Sequence, residues 1–226
     1  MTSALSLQKI YFPGKLTLTK NDREPHPSTH SRFKRFLDLL GSSIGLLVLA
    51  IVFLPIAIAI KLDNPGPIFY AQRRHGLHGR AFTIYKFRSM VANADALKAF
   101  VNNEANGLIF KNTHDPRITR VGRFLRKTSL DELPQFWNVL RGDMSLVGTR
   151  PPTTDEVMHY EEHHWQRLNV KPGITGEWQV NGRSQVTDFE DIVSLDLRYQ
   201  NRWTPWYDLA IILKTLYVVF AKVGAC

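Results

Sequence analysis

Leu39 to Ile60 reads LLGSSIGLLVLAIVFLPIAIAI, a run without a charged residue. About 20 apolar residues suffice to cross a bilayer as a helix, so this run reaches spanning length. A cleaved signal peptide fits poorly. The run begins late, and Lys61-Leu62-Asp63-Asn64-Pro65 follows it in place of a small-residue cleavage site. The sequence therefore describes a membrane protein with one membrane segment.

The flanks of that run carry charge of one sign. Arg32, Lys34 and Arg35 precede it, and Lys61, Arg73, Arg74 and Arg80 follow it. Positive flanks favour the cytoplasmic side, and here both flanks qualify. Pro55 lies inside the run and removes one helical hydrogen bond. Two readings stand open on charge alone: a kinked single span, or a helix that bends at Pro55 and returns to the face it entered.

Outward from the run, the chain has 226 residues, 29 Lys+Arg against 20 Asp+Glu, and a formal net charge of +9. Hydrophobic residues make up 44 %, enough for a packed core, which excludes a wholly disordered chain. The one cysteine, Cys226, excludes a disulfide framework and a Cys-based zinc site, and fits a reducing compartment. Residues 1–31 read as a flexible arm, 32–61 as the membrane helix, and 62–226 as a catalytic domain. Ile68–Tyr70 and Ala81–Phe87 read as a hairpin around the loop 73–80. Lys86 and Arg88, two apart, would share one strand face and could grip a phosphate. Residues 91–105 and 155–168 read as polar helices, and Trp206–Val223 as an interfacial helix. Arg117, Arg120, Arg123 and Arg126 recur every third residue, a cationic stripe suited to nucleic acid, anionic lipid or a phosphorylated small molecule.

The stretch RKTSLDELPQFWNVLRGDMSLVGTRPP, Arg126 to Pro152, carries the sharpest chemistry. Leu133, Phe136, Trp137 and Leu140 have helical spacing, and Ser129 with Glu132 has the form of a capping box. Asp131 and Glu132 would then sit at a positive helix end, favourable by about 0.3–1 kcal/mol each. Capping accounts for one acid better than for two. Adjacent carboxylates could instead hold Mg²⁺ beside substrate phosphates, or one could attack phosphorus. Arg150, between Thr149 and Pro151, could grip phosphate in bidentate fashion. In KPGITGEWQVNGRS, Lys171 to Ser184, the glycines 173, 176 and 182 would permit close approach to a ligand, with Trp178, Gln179, Asn181 and Arg183 around it. His159, His163 and His164 include an i, i+4 pair, but Glu161-Glu162 make a solvated helix the better reading than zinc.

The segments KFRSM (86–90), SLDELPQFWNVLRGDMSLVGTRP (129–151) and KPGITGEWQVNGR (171–183), in that order after an apolar helix, resemble the bacterial sugar transferases, the monotopic phosphoglycosyl transferases. The resemblance runs from about Arg32 to the C-terminus and is to the small catalytic form. It implies a mainly helical α/β fold: a re-entrant membrane helix-turn-helix, broken at Pro55, with a small cytoplasmic-face domain of short strands and interfacial helices. It implies transfer of a sugar-1-phosphate from a UDP-sugar to polyprenyl phosphate at the inner membrane, with release of UMP, in exopolysaccharide or related assembly. Asp131 is then the nucleophile of a covalent phosphosugar intermediate, Glu132 its partner, and Mg²⁺ the cofactor, with both acids as its ligands. Lys86, Arg88, Arg126, Arg150, Gln179, Asn181 and Arg183 are the expected phosphate and substrate contacts. Two positions depart from the family pattern. Leu54-Pro55 replaces Ser-Pro at the break, and Thr149-Arg150-Pro151 replaces Pro-Arg-Pro. A nucleic-acid partner is not expected, because it leaves Asp131-Glu132 unexplained. A catalytically silent scaffold is the alternative, and a homo-oligomer stays open.

Overall fold

A computed structural model describes residues 25–182 and 186–220. Its organising element is a 32-residue helix, α2 (Arg32–Asp63), preceded by a helical turn, α1 (Pro27–His30). Ser31 starts α2 by accepting the Lys34 N–H at 3.2 Å. Helical rise makes α2 about 48 Å long. It runs through Pro55 without leaving helical conformation. The expected helix-turn-helix, broken at Pro55, is therefore one continuous helix, with Pro55 as the point where its axis can bend. Proline costs such a helix one backbone bond but does not force a turn.

One stripe of α2 faces the rest of the molecule: Lys34, Asp38, Ser42 and Gly45, then Ile56, Ala57 and Ile60. The opposite side is bare, with Ile51 71 % exposed and Leu47 and Leu54 each 65 %. Both ends are bonded to the same folded body. At the start, Lys34 Nζ donates to Asp208 Oδ2 at 2.7 Å and to the Val147 carbonyl at 2.8 Å. At the finish, Asp63 Oδ2 accepts the Val121 N–H at 2.9 Å. In between, the Phe136 ring occupies the space a Cβ on Gly45 would need.

After α2 comes an antiparallel hairpin, β1 (Phe69–His75) and β2 (Ala81–Phe87), in which Tyr70 pairs with Lys86, Gln72 with Ile84 and Arg74 with Phe82. Arg73 and Arg74 belong to the strand, not to the expected loop. The rings of Phe53, Phe69 and Phe87 stack with centroids 5.4–6.3 Å apart and seat the hairpin on α2. Residues 91–105 hold only a 3₁₀ turn at Lys98–Phe100, where a polar helix was expected. Phe100 is 85 % exposed and Ala94 is the segment's one buried residue, too little apolar burial to stabilise a helix.

Next come α3 (Arg120–Thr128), α4 (Gln135–Arg141) and a second, parallel pair of strands, β3 (Ser145–Val147) with β4 (Gly173–Thr175). The span 155–168 is a short helix, α5 (Thr154–Met158), and a 3₁₀ helix, Glu162–Asn169, rather than one helix. Last are α6 (Glu177–Val180), α7 (Phe189–Arg202) and α8 (Pro205–Phe220). Helix α8 buries Asp208 and Ile211 and exposes Trp206, Leu213, Leu216 and Tyr217, so its outer side is largely apolar. Most of the arm expected over residues 1–31 lies outside the described residues. Its final part is not loose: the His26 Nε2 contacts the Gln200 carbonyl at 3.0 Å, and Ser28 is buried.

Candidate active site

The dyad sits between α3 and α4, on a 3₁₀ turn at Leu130–Glu132. Ser129 makes that turn possible by adopting φ 58°, ψ 15°, a left-handed conformation. Its N–H closes α3 on the Leu125 and Arg126 carbonyls, and its side chain makes no capping bond, so the expected Ser129–Glu132 capping box is absent. Helix α4 begins only at Gln135, after Pro134. The apolar face expected of it is divided, with Phe136 packed against Gly45 of α2 and Trp137 facing out. Trp137 is exposed, whereas Gln135, Asn138 and Val139 are buried. Asn138 makes a second buried side: its side chain accepts the Tyr85 N–H at 3.3 Å and donates to the Thr83 carbonyl at 2.7 Å, holding α4 against β2.

This placement brings a cation from each neighbouring element toward the acids. Lys86 of β2 pairs with Glu132 at 2.7 Å, both side chains about one quarter exposed. Asp131 is buried. Arg126, from the last turn of α3, donates to Ser89 Oγ at 2.9 Å and lies within Coulomb range of both acids. Burial lowers its pKa, with Asp131 opposing that shift. Gly122 fixes the distance of α3, because a Cβ there would collide with the Ser89 carbonyl.

Arg150 forms a second centre. It makes a two-pronged pair with Glu156, at 2.7 and 3.0 Å, and lies 5.9 Å from the Trp178 ring centroid. Burial opposes its charge, but Glu156 outweighs that and holds the guanidinium firmly protonated. Arg74 joins the two centres. It donates to the Pro151 carbonyl at 2.9 Å, and burial together with neighbouring Arg150 brings its pKa down to about 10, while Glu156 and Glu132 attract it. The sequence did not single out Arg74 for this role. The available signal was alternation: with β1 extended to His75, Tyr70, Gln72 and Arg74 fall on the face that carries Lys86.

Other expectations are corrected. Arg88 does not join Lys86 as a phosphate contact. Strand β2 ends at Phe87, and the buried Arg88 guanidinium turns to Asn64 Oδ1 at 3.0 Å, the Asn64 carbonyl and the Pro65 carbonyl at 3.3 Å, latching the end of α2. Arg117 leaves the stripe for a buried pair with Asp115 at 2.7 Å. Gly173 and Gly176 press against the backbone of Gly148 rather than leaving room for a ligand. Asn181 is bonded to the Glu177 carbonyl and to Lys214 of α8. Gln179 lies on α6, with its Oε1 buried and lacking a hydrogen-bond partner. Arg183 lies outside the described residues. His163, His164 and Glu190 do come together, within 4.8 Å. Yet His164 Nδ1 accepts the Glu161 N–H at 2.9 Å, so its proton is on Nε2, donated to Glu190 at 2.7 Å. That tautomer offers no free nitrogen to a metal.

The dyad, by contrast, offers adjacent carboxylate oxygens, the hard donors that Mg²⁺ takes one or two at a time beside phosphates and water.

A family model described as "Bacterial sugar transferase" matches residues 29–222. The chain belongs to the bacterial sugar transferase family. Among curated relatives, the galactosyl transferase CpsE of Streptococcus agalactiae is 53 % identical over 87 % of this chain and 44 % of its own length. The undecaprenyl-phosphate galactose phosphotransferase of Salmonella typhimurium is 46 % identical, over 86 % of this chain and 42 % of its own. The exopolysaccharide production protein ExoY of Rhizobium meliloti is 39 % identical over 85 % of this chain and 87 % of its own. The chain thus spans less than half the length of the first two relatives and most of the third.

Proposed function

We propose that this chain transfers a sugar-1-phosphate from a UDP-sugar to polyprenyl phosphate, releasing UMP, as a membrane step of exopolysaccharide or related glycoconjugate assembly. The observation that carries this reading is the Asp131-Glu132 turn, flanked by Lys86 and Arg126 and linked through Arg74 to Arg150. The names of the relatives support the substrate classes.

The Asp131 carboxylate attacks the phosphorus that bears the sugar. The bond to the bridging oxygen breaks, UMP leaves with that oxygen, and an aspartyl-phosphosugar remains. An oxygen of polyprenyl phosphate then attacks the same phosphorus and frees Asp131, giving a polyprenyl-diphosphate sugar. Lys86 and Arg126 offset phosphate charge beside the carboxylate, and Arg74 with Arg150 holds the departing nucleotide phosphate. Mg²⁺, held by Asp131 and Glu132, would supply further charge neutralisation on the phosphate oxygens.

We read α2 as re-entrant from the cytoplasmic face of the inner membrane. Its positive flanks, and its polar bonds to one body at both ends, support that topology.

Incubation of the purified protein with a UDP-sugar alone, followed by intact-mass measurement, tests the intermediate. The expected result is a phosphosugar adduct and stoichiometric UMP, both lost in Asp131→Asn. Normal UMP release by Asp131→Asn overturns the reading.

A further inference from the structure

At the end of α4 remote from the dyad lies a polar cavity of about 170 Å³, at the junction of α1 and α2. Arg32, Lys34, Arg35 and Lys171 line it, and Asp38 is its one acid. Two of these charges are already used. Lys34 pairs with Asp208 at 2.7 Å, and Asp38 Oδ1 accepts Ser145 Oγ–H and the Leu146 N–H, both at 2.8 Å. Arg35 is fixed in place by donating to the Val139 and Leu140 carbonyls at 2.9 and 2.7 Å, which leaves N–H groups over. Arg32 and Lys171 have no hydrogen-bond or ion-pair partner among the described residues. Burial, with Arg35 and Lys34 close by, pushes the Lys171 pKa down against the attraction of Asp38 and Asp143. Gly142, which ends α4, lies beside both: a Cβ there would be 3.7 Å from Lys171 Nζ and 3.8 Å from the Arg35 guanidinium.

Of the lining residues, exposed Arg32 leads onto the bare face of α2, with Phe33 next to it and Phe36 one turn on; Phe33, Phe36 and Leu40 are 45 %, 59 % and 50 % exposed. A soluble anion would need the cations but not the rings. A lipid needs both, a phosphate at the cations and acyl chains along the rings. We propose that this cavity binds the phosphate of an anionic membrane phospholipid, at a site separate from the dyad. The inference rests on α2 lying in the membrane. A bound lipid there would fix the depth and orientation of the start of α2.

Native mass spectrometry of the full chain in detergent tests it, with phosphatidylglycerol, phosphatidylcholine and inorganic phosphate as probes. Wild type should retain one phosphatidylglycerol in preference to phosphatidylcholine, undisturbed by millimolar phosphate. R32Q/K171Q should lower that retention about tenfold, and R80Q/K98Q, with the same change in charge, should leave it unaltered. Should the double variant not fold, exposed R32Q alone should lower retention about threefold. Equal retention by R32Q/K171Q and wild type overturns the site. Displacement of the lipid by inorganic phosphate overturns the lipid assignment in favour of a soluble anion. UMP release from the same preparations should be unchanged in R32Q/K171Q, so failure of the transferase reading is read separately.

Discussion

Lys86 and Glu132 illustrate how little a site contact need contribute to the fold. The pair is 2.7 Å long but about one quarter exposed on each side, so it is worth no more than about 1 kcal/mol. Lys86→Met should therefore shift the unfolding midpoint barely at all. UMP release should fall roughly a hundredfold, because the cation beside the dyad is gone. A near-normal turnover number would remove Lys86 from the reaction. Arg150 and Glu156 are the opposite case, a buried two-pronged pair. Burial alone would raise the Glu156 pKa, but Arg150 outweighs it and holds the carboxyl below its ordinary range. A depressed carboxylate stabilises the fold fully above its unfolded pKa, about 4.3, and that contribution fades as pH falls through the lower folded value. Urea midpoints should consequently drop between about pH 5 and pH 3. Glu156→Gln should be less stable at neutral pH and show a shallower acid drop; an unchanged slope would show that the pair does not set it.

The helices place these residues by backbone contact more than by side-chain fit. Gly122 of α3 lets the helix touch the Ser89 carbonyl, and Arg126, one turn on, then reaches Ser89 Oγ. In Gly122→Ala the added methyl has no room, so α3 must move away and carry Arg126 with it. We expect helix content to be retained, since Ala is the better helix former, while activity falls at least tenfold. Retained activity would show that Arg126 tolerates the shift. Patterns of this kind were only partly legible in the sequence. The spacing of Leu133, Phe136, Trp137 and Leu140 gave the helix but not its second buried side, which Asn138 makes by bonding to β2. Asp131-Glu132 stood out in the sequence as a candidate pair, but its turn did not, since a left-handed Ser129 leaves no pattern in neighbouring residues. Arg88 was misplaced because alternation holds only within a strand, and β2 stops one residue earlier.

The whole molecule is arranged around one long helix that it holds at both ends. That arrangement makes the topology testable. Single cysteines at His30 and Lys98, in a Cys226→Ser background, can be challenged with a membrane-impermeant thiol reagent on intact cells. Both positions should stay protected until the cells are opened. Labelling at position 30 alone from outside would establish a spanning helix and dispose of the re-entrant one. Pro55→Ala in the same background should move only a minority of molecules to that state, since Arg32, Lys34 and Arg35 resist crossing.

The tie between Lys34 and Asp208 also sets an order in time. Its partners lie 174 residues apart along the chain. A ribosome adding about 5–20 residues per second needs roughly 10–30 s to make that stretch. Throughout that interval the most apolar segment has been made, while the carboxylate that anchors its first turn has not. An ordinary spanning helix is finished when it leaves the insertion machinery. On the re-entrant reading, this one is instead held at the membrane surface until Asp208 has been made. Its docking thus waits on a residue made 174 positions after the lysine it anchors.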